Sequence, residues 1–377
     1  IKRRIHRDLT RALFRFVVIG AISCLSACGR APDAVNVETV VPVASVPDLK
    51  RHNIFIATSR TTSDDPAQFF TGKRAQSLAF ASVEVTVPPI HEPGKVERTK
   101  APKPDPRRHF VIEKPQTYAD ERAFERSLVT ALNNRPPERR NVLFFVHGYN
   151  TTMTDAILQL AQFVEDSDYD GIPVLFSWAS GGKVTRYVYD LNSALVARDN
   201  LASMLGILED ASIQSYDVMA HSMGSLLTME VGRQAAMTTG INATGKARNV
   251  ILASPDIDFD LFVSQVRAIP EKYRSFVVLV SQDDRALRAS EIVAGGVTRA
   301  GNAPVEVLAS LGVTAIDLTE IEDESSLSHS KFRDSPAVVQ QIGTTLRDKS
   351  TFGSERDRSG FVRTGVDGVL GLVGLDG

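Results

Sequence analysis

The segment 216–227 constrains the fold most, because an apolar strand pattern there meets a sharp polar turn and then a helical pattern. The turn, 220–224, is Ala-His-Ser-Met-Gly. Small residues two positions before and after a serine let two backbones approach closely and let the serine adopt strained dihedral angles. This pattern predicts a nucleophile elbow with Ser222 at its tip, although Ala220 replaces the usual first glycine. The alternative is a serine that only caps the helix.

A second apolar run favours the elbow. Residues 141–146 predict a buried strand, and His147 and Gly148 follow it directly. In the elbow architecture, the loop after such a strand supplies one backbone N–H of the oxyanion hole, and the residue after the nucleophile supplies the other. We therefore expect the N–H groups of Tyr149 and Met223 to form the oxyanion hole.

Carboxylates follow the next two predicted strands, 249–253 and 276–280. Open α/β sheets place their ligand sites at the carboxyl ends of the strands. The candidate acids are the aspartates just beyond these ends, which are Asp256, Asp283 and Asp284. Each has a commoner alternative use, because aspartate often caps a helix or stabilises a turn.

A histidine in a late polar loop, His329, is the candidate base. Serine is a poor nucleophile at neutral pH, so an imidazole must take its proton and a carboxylate must orient the imidazole. The order Ser, Asp, His along the chain is that of α/β-hydrolases. Asp284 is the preferred acid, because its spacing from Ser281 is similar to the spacing that carries the acid in that fold. The predicted set is nucleophile Ser222, base His329 and acid Asp284, with Asp256 and Asp283 as alternative acids.

Strand and helix patterns alternate along most of the chain. This alternation predicts an α/β fold with a mostly parallel central sheet and helices on both faces. The predicted division is a signal peptide at 1–28, a tether at 29–50, the folded α/β domain at 51–348 and a flexible glycine-rich tail at 349–377.

The amino-terminal segment has the character of a secretory signal, with several early Lys and Arg residues followed by an apolar run at 16–24. Residues 25–28, Leu-Ser-Ala-Cys, resemble the bacterial lipobox, which predicts lipidation of Cys28. Gly29 favours an outer-membrane lipoprotein that faces the periplasm. The alternatives are an ordinary signal peptide cut near Ala27 and a buried helix.

The composition of the chain limits the kinds of ligand and partner that it can be expected to bind. The chain has 43 Lys and Arg against 45 Asp and Glu, so its net charge of -2 provides no basic field for nucleic acid. Its seven histidines are scattered without ligand spacing, so no metal site is indicated. We predict no cofactor. The two cysteines, Cys24 and Cys28, both lie in the signal region, so no disulfide is expected within the folded domain.

Five segments carry a resemblance to a known family: 145–150 (Phe-Val-His-Gly-Tyr-Asn), 176–178 (Phe-Ser-Trp), 220–224, 254–258 (Ser-Pro-Asp-Ile-Asp) and 284–287 (Asp-Arg-Ala-Leu). They are similar to the bacterial α/β-hydrolase family catalogued as a domain of unknown function, over residues 53–346. The resemblance implies the α/β-hydrolase fold and a serine triad, but no particular substrate.

The expected activity is hydrolysis of small or moderately sized carboxylic esters through an acyl-enzyme intermediate. Two alternatives remain. One is an acyltransferase with the same triad and an alcohol in place of water. The other is a catalytically silent lipoprotein that binds or scaffolds in the envelope, since a fold does not fix its function.

Overall fold

The computed structural model describes residues 31–347 except 212, 239, 241, 275 and 323–326, together with the strand backbones of 362–366 and 369–373. The predicted signal peptide, Cys28 and most of the predicted tail lie outside these residues. Among the described residues, no helix has both the length and the apolar character needed to cross a bilayer.

One sheet contains all the described strands. Its order is β11-β10-β9-β8-β7-β6-β4-β5-β1-β2-β3. Neighbours from β10 across to β1 are parallel, whereas β2, β3 and β11 are antiparallel additions at the edges. The strands are β1 Lys50–Thr62, β2 Phe70–Val87, β3 Val111–Tyr118, β4 Asn141–Val146, β5 Ile172–Ser177, β6 Ser215–His221, β7 Ala247–Ala253, β8 Phe276–Val280, β9 Thr314–Asp317, β10 Val362–Val366 and β11 Val369–Val373.

Helices cover both faces of the sheet. Along β4, Val142 and Phe144 belong to one apolar core, and Leu143 and Phe145 belong to a second core on the opposite face. The predicted α/β architecture is confirmed. The helices are α1 Glu121–Asn133, α2 Met153–Asp166, α3 Tyr187–Val196, α4 Arg198–Asp210, α5 Met223–Met237, α6 Phe259–Ala268, α7 Arg285–Val293, α8 Val305–Ser310, α9 Lys331–Asp334 and α10 Pro336–Arg347.

Two segments outside the predicted domain contact the sheet. From residue 31 onward, the segment predicted as a tether packs on the domain, because Val35 is buried and its N–H donates to the carbonyl of Ala67. Strands β10 and β11 lie within the segment predicted as a flexible tail, and β10 pairs with β9. The described secondary structure therefore extends beyond 51–348 at both ends.

Two glycines allow the loop after β4 to touch the turn before α5. A Cβ on Gly224 would lie 2.4 Å from the carbonyl oxygen of His147 and 2.7 Å from that of Val146. A Cβ on Gly148 would lie 2.9 Å from Cβ of Ser222. Because two of these three neighbours are buried backbone oxygens at the end of β4 and the start of its loop, they have little freedom to move away.

We expect Gly224→Ala to lower the free energy of unfolding by about 1–3 kcal/mol, because the new methyl group overlaps backbone atoms. Gly206→Ala is the matched control, since no atom lies within 4 Å of a Cβ at this position in α4. The control should raise the free energy of unfolding by about 0.5–1 kcal/mol through helix propensity. Urea denaturation measures both, and equal effects would contradict the close packing at Gly224.

Candidate active site

Ser222 occupies the turn between β6 and α5 in a strained conformation. Its φ is 53° and its ψ is −123°, and its side chain makes no capping hydrogen bond to the helix. A non-glycine residue held in such a region costs about 1–3 kcal/mol. Ser222 is 2% exposed, and its N–H donates to the carbonyl of Ala253 at 2.9 Å. The geometry is that of an elbow rather than of a helix cap.

Asp284 and His329 form a hydrogen-bonded pair at the carboxyl edge of the sheet. Nδ1 of His329 lies 2.6 Å from Oδ2 of Asp284. The other carboxylate oxygen of Asp284 accepts from the N–H of Leu287 at 2.9 Å and so caps α7. Asp284 is fully buried, whereas the His329 side chain is 18% exposed. Since a carboxylate only accepts, Nδ1 must donate, which leaves Nε2 of a neutral imidazole as an acceptor.

The pair lies beside the elbow. The rings of His329 and His221 have centroids 4.8 Å apart, and Nε2 of His221 lies 3.1 Å from the carbonyl oxygen of His329. Ser222 is the next residue after His221. The fold thus brings the three predicted triad residues to one edge of the sheet.

The two alternative acids have other partners. Both carboxylate oxygens of Asp283 accept from the buried Lys331 at 2.9 Å. Burial acts to raise the pKa of Asp283, but hydrogen bonds from Ser281 and Lys331 outweigh it and the pKa is lowered. Asp256 accepts from Nε of Arg299 at 2.8 Å inside a buried ion pair. Among the described residues, Asp284 is thus the one candidate acid that contacts His329.

The two other histidines near the elbow are neutral at neutral pH. Burial, aided by the charge of Arg60, lowers the pKa of His147 to about 3. Burial, aided by the charge of His329, holds the pKa of His221 well below its ordinary value. The ring of His147 stacks on Trp178, whose Nε1 donates to the His147 carbonyl at 2.7 Å. These contacts fit side chains that shape the loop.

A family model described as an α/β hydrolase of unknown function (DUF900) matches residues 120–346, which is more than half of the chain. The chain belongs to this family. Among curated proteins, no sequence matches the chain.

Solved structures that the chain matches include several esterases. A Pyrobaculum calidifontis esterase is 13% identical, with 60% of this chain and 92% of that chain covered and a TM-score of 0.33. A Rhizomucor miehei esterase is 12% identical, with coverages of 81% and 85% and a TM-score of 0.33. A Listeria innocua protein is 11% identical, with coverages of 60% and 98% and a TM-score of 0.34. Similarity at this level carries no inference about function.

Two buried charges that the sequence analysis did not select hold the loop after β4 in this α/β hydrolase. Arg60 donates to the carbonyl of Thr151 at 2.8 Å and to Nε2 of His147 at 3.3 Å. Asp190 accepts from the N–H of Asn150 at 3.1 Å. Both side chains are buried. For Arg60 the available signal was its position just after the apolar strand pattern at 53–58, because a charged residue is rarely buried without a specific partner.

Asp256 and Arg299 form a buried ion pair. The substitution Asp256→Asn would remove this pair from the hydrolase. Ser290 and Tyr187 also donate to this carboxylate, at 2.5 Å and 3.1 Å. We expect a fall in the free energy of unfolding of about 3–5 kcal/mol, because the guanidinium stays buried without its counter-charge. The measurement is urea denaturation.

The matched control is Asp258→Asn, two residues later. Asp258 caps α6, and asparagine caps a helix about as well as aspartate does. The free energy of unfolding of Asp258→Asn should stay close to that of the wild type. Similar losses in the two variants would show that the pairing with Arg299 contributes no special stability.

Proposed function

We propose that this α/β hydrolase is a serine hydrolase that cleaves carboxylic esters, with Ser222, His329 and Asp284 as its catalytic triad. The observation that carries the proposal is the 2.6 Å contact between His329 and the fully buried Asp284, beside the strained turn at Ser222. Strained backbone persists where the surrounding structure imposes it, and it clusters at active sites.

The three side chains have distinct roles in the proposed mechanism. Nε2 of His329 takes the proton from Oγ of Ser222 while Oγ attacks the ester carbonyl carbon. Asp284 holds the imidazole in the tautomer whose Nε2 is free of a proton, and it stabilises the imidazolium that forms. His329 then returns the proton to the departing alcohol. Water, deprotonated by the same imidazole, hydrolyses the acyl-enzyme and regenerates Ser222.

The N–H groups of Met223 and Tyr149 are the proposed oxyanion hole. Met223 is the first residue of α5, so its N–H has no acceptor within the helix. Tyr149 follows Gly148, which lies against Ser222. Arg60 and Asp190 support the proposal because they fix the loop that carries Tyr149. Each such donor is worth about 3 kcal/mol in the transition state.

The proposed substrate is a small or moderately sized ester, and the mechanism uses no metal or organic cofactor. We also propose that the protein is a bacterial lipoprotein anchored through Cys28, in the outer membrane and facing the periplasm. The lipobox-like sequence before Cys28 supports this location.

Ser222→Ala should abolish hydrolysis of short-chain ester probes, with a loss of about 10⁶ in kcat, and leave the fold intact. Purified wild-type protein should react with a fluorophosphonate probe, and mass spectrometry should find the adduct on Ser222. The adduct should be absent in His329→Ala. Undiminished turnover of Ser222→Ala would refute the proposal, and folded wild-type protein that does not react would favour a silent scaffold.

Asp284→Asn should lower kcat by about 10⁴, because an amide at this place can donate to Nδ1 and favours the wrong tautomer of His329. Asparagine still caps α7, so the fold should persist. Asp256→Asn is the control and should cost much less activity when assayed at a temperature where circular dichroism shows it folded. The reverse ranking would move the acid to Asp256.

A further inference from the structure

Exposed apolar side chains flank the candidate site on two segments. Val184 and Val188 lie around the start of α3, and Ile292 and Val293 end α7. We call these four residues the apolar rim. Each is between 63% and 79% exposed. A single exposed apolar residue is ordinary, but a group of them near a candidate site marks an interaction surface.

Hydrogen bonds join the two segments of the apolar rim. The hydroxyl oxygen of Tyr187, the residue before Val188, lies 2.8 Å from Oγ of Ser290. The ring of Tyr187 also packs on Tyr149, with centroids 5.3 Å apart, and the Tyr149 hydroxyl donates to the carbonyl of Val184. Since Tyr149 belongs to the loop beside Ser222, the apolar rim borders the candidate site.

The sequence around the apolar rim suits a lipid headgroup region. Val293 is followed by Ala294, Gly295 and Gly296, which are exposed and uncharged. Exposed cations on the same two segments are Lys183, Arg186, Arg285 and Arg288, whereas Glu291 is the one acidic residue of 183–188 and 285–297. Apolar side chains with flanking Lys and Arg are typical of surfaces that enter the interface of a bilayer containing anionic lipids.

The amino-terminal end of the described chain lies at this same edge of the sheet. Oδ1 of Asp33 accepts from the N–H of Thr154 at 3.0 Å, in the first turn of α2. Helix α2 follows the carboxyl end of β4, which is the edge that holds Ser222. Cys28 precedes Asp33 by five residues, a reach of at most about 18 Å. An anchor at Cys28 would therefore draw the candidate site toward the membrane.

We propose that the apolar rim docks on the surface of a phospholipid bilayer, so that the candidate site opens toward the lipid. Ile292 and Val293 enter the headgroup region, and Lys183, Arg186 and Arg288 contact lipid phosphates. The docking itself does not depend on the proposed ester chemistry.

The test uses the full chain with Cys24→Ser and Cys28→Ser, which removes both native thiols, so that one introduced cysteine carries the label. An environment-sensitive fluorophore is attached at Ile292→Cys and, as the matched control, at Ile90→Cys. Ile90 is 55% exposed and follows Val87, which pairs with Lys50 at the start of β1, so it lies at the opposite edge of the sheet. The vesicles contain phosphatidylcholine and phosphatidylglycerol, with and without nitroxide-labelled lipid.

On vesicles, the emission of the label at position 292 should shift to the blue, and nitroxide-labelled lipid should quench most of its intensity. The label at position 90 should show neither effect. A second label at Val188→Cys should behave like the one at position 292. Equal responses at positions 292 and 90, or none at 292 and 188, would overturn the proposal. Circular dichroism checks that each variant is folded. The labelling test requires no catalytic turnover. A protein that lacks esterase activity can therefore still show docking, and an active protein that does not dock leaves the proposed function unaffected.

Discussion

The structure of the candidate site depends on the close approach of two backbones, the loop after β4 and the turn before α5. Because β4 and β6 are adjacent parallel strands, their following loops leave the sheet side by side. Only glycine at 148 and 224 leaves room for this contact. The contact holds Ser222 at its strained φ and sets Met223 opposite the loop that carries Tyr149. The buried cores on both faces of the sheet offset the strain of about 1–3 kcal/mol.

Each of the three candidate acids at the same edge of the sheet has its own partner. Like charges placed together raise one another's pKa and disfavour ionisation. Here Asp283 is held by Lys331 and Asp256 by Arg299, so two of the negative charges are balanced by cations. Asp284 has a histidine as its partner instead. Among the three candidate acids, Asp284 is thus the one whose described partner is an imidazole rather than a Lys or Arg side chain.

The sequence predicts the parts of the fold whose patterns are local. Runs of apolar residues gave β4 and β8 their observed bounds, because strands buried on both faces need no polar residues. The elbow was predictable from its small residues, and the order of Ser, Asp and His was visible along the chain. Contacts between distant residues were not predictable. Nothing near Asp256 in the sequence points to Arg299, 43 residues later, and nothing near His147 points to Arg60.

Helix α7 connects the candidate triad to the apolar rim. Its first turn is capped by Asp284, its sixth residue Ser290 bonds to Asp256, and its last residues are Ile292 and Val293. Its nine residues span about 13 Å. The helix therefore connects the exposed residues at its carboxyl end to the carboxylate that contacts His329. The exposed carboxyl end of α7 and the carboxylate that orients the imidazole thus lie at the two ends of one helix.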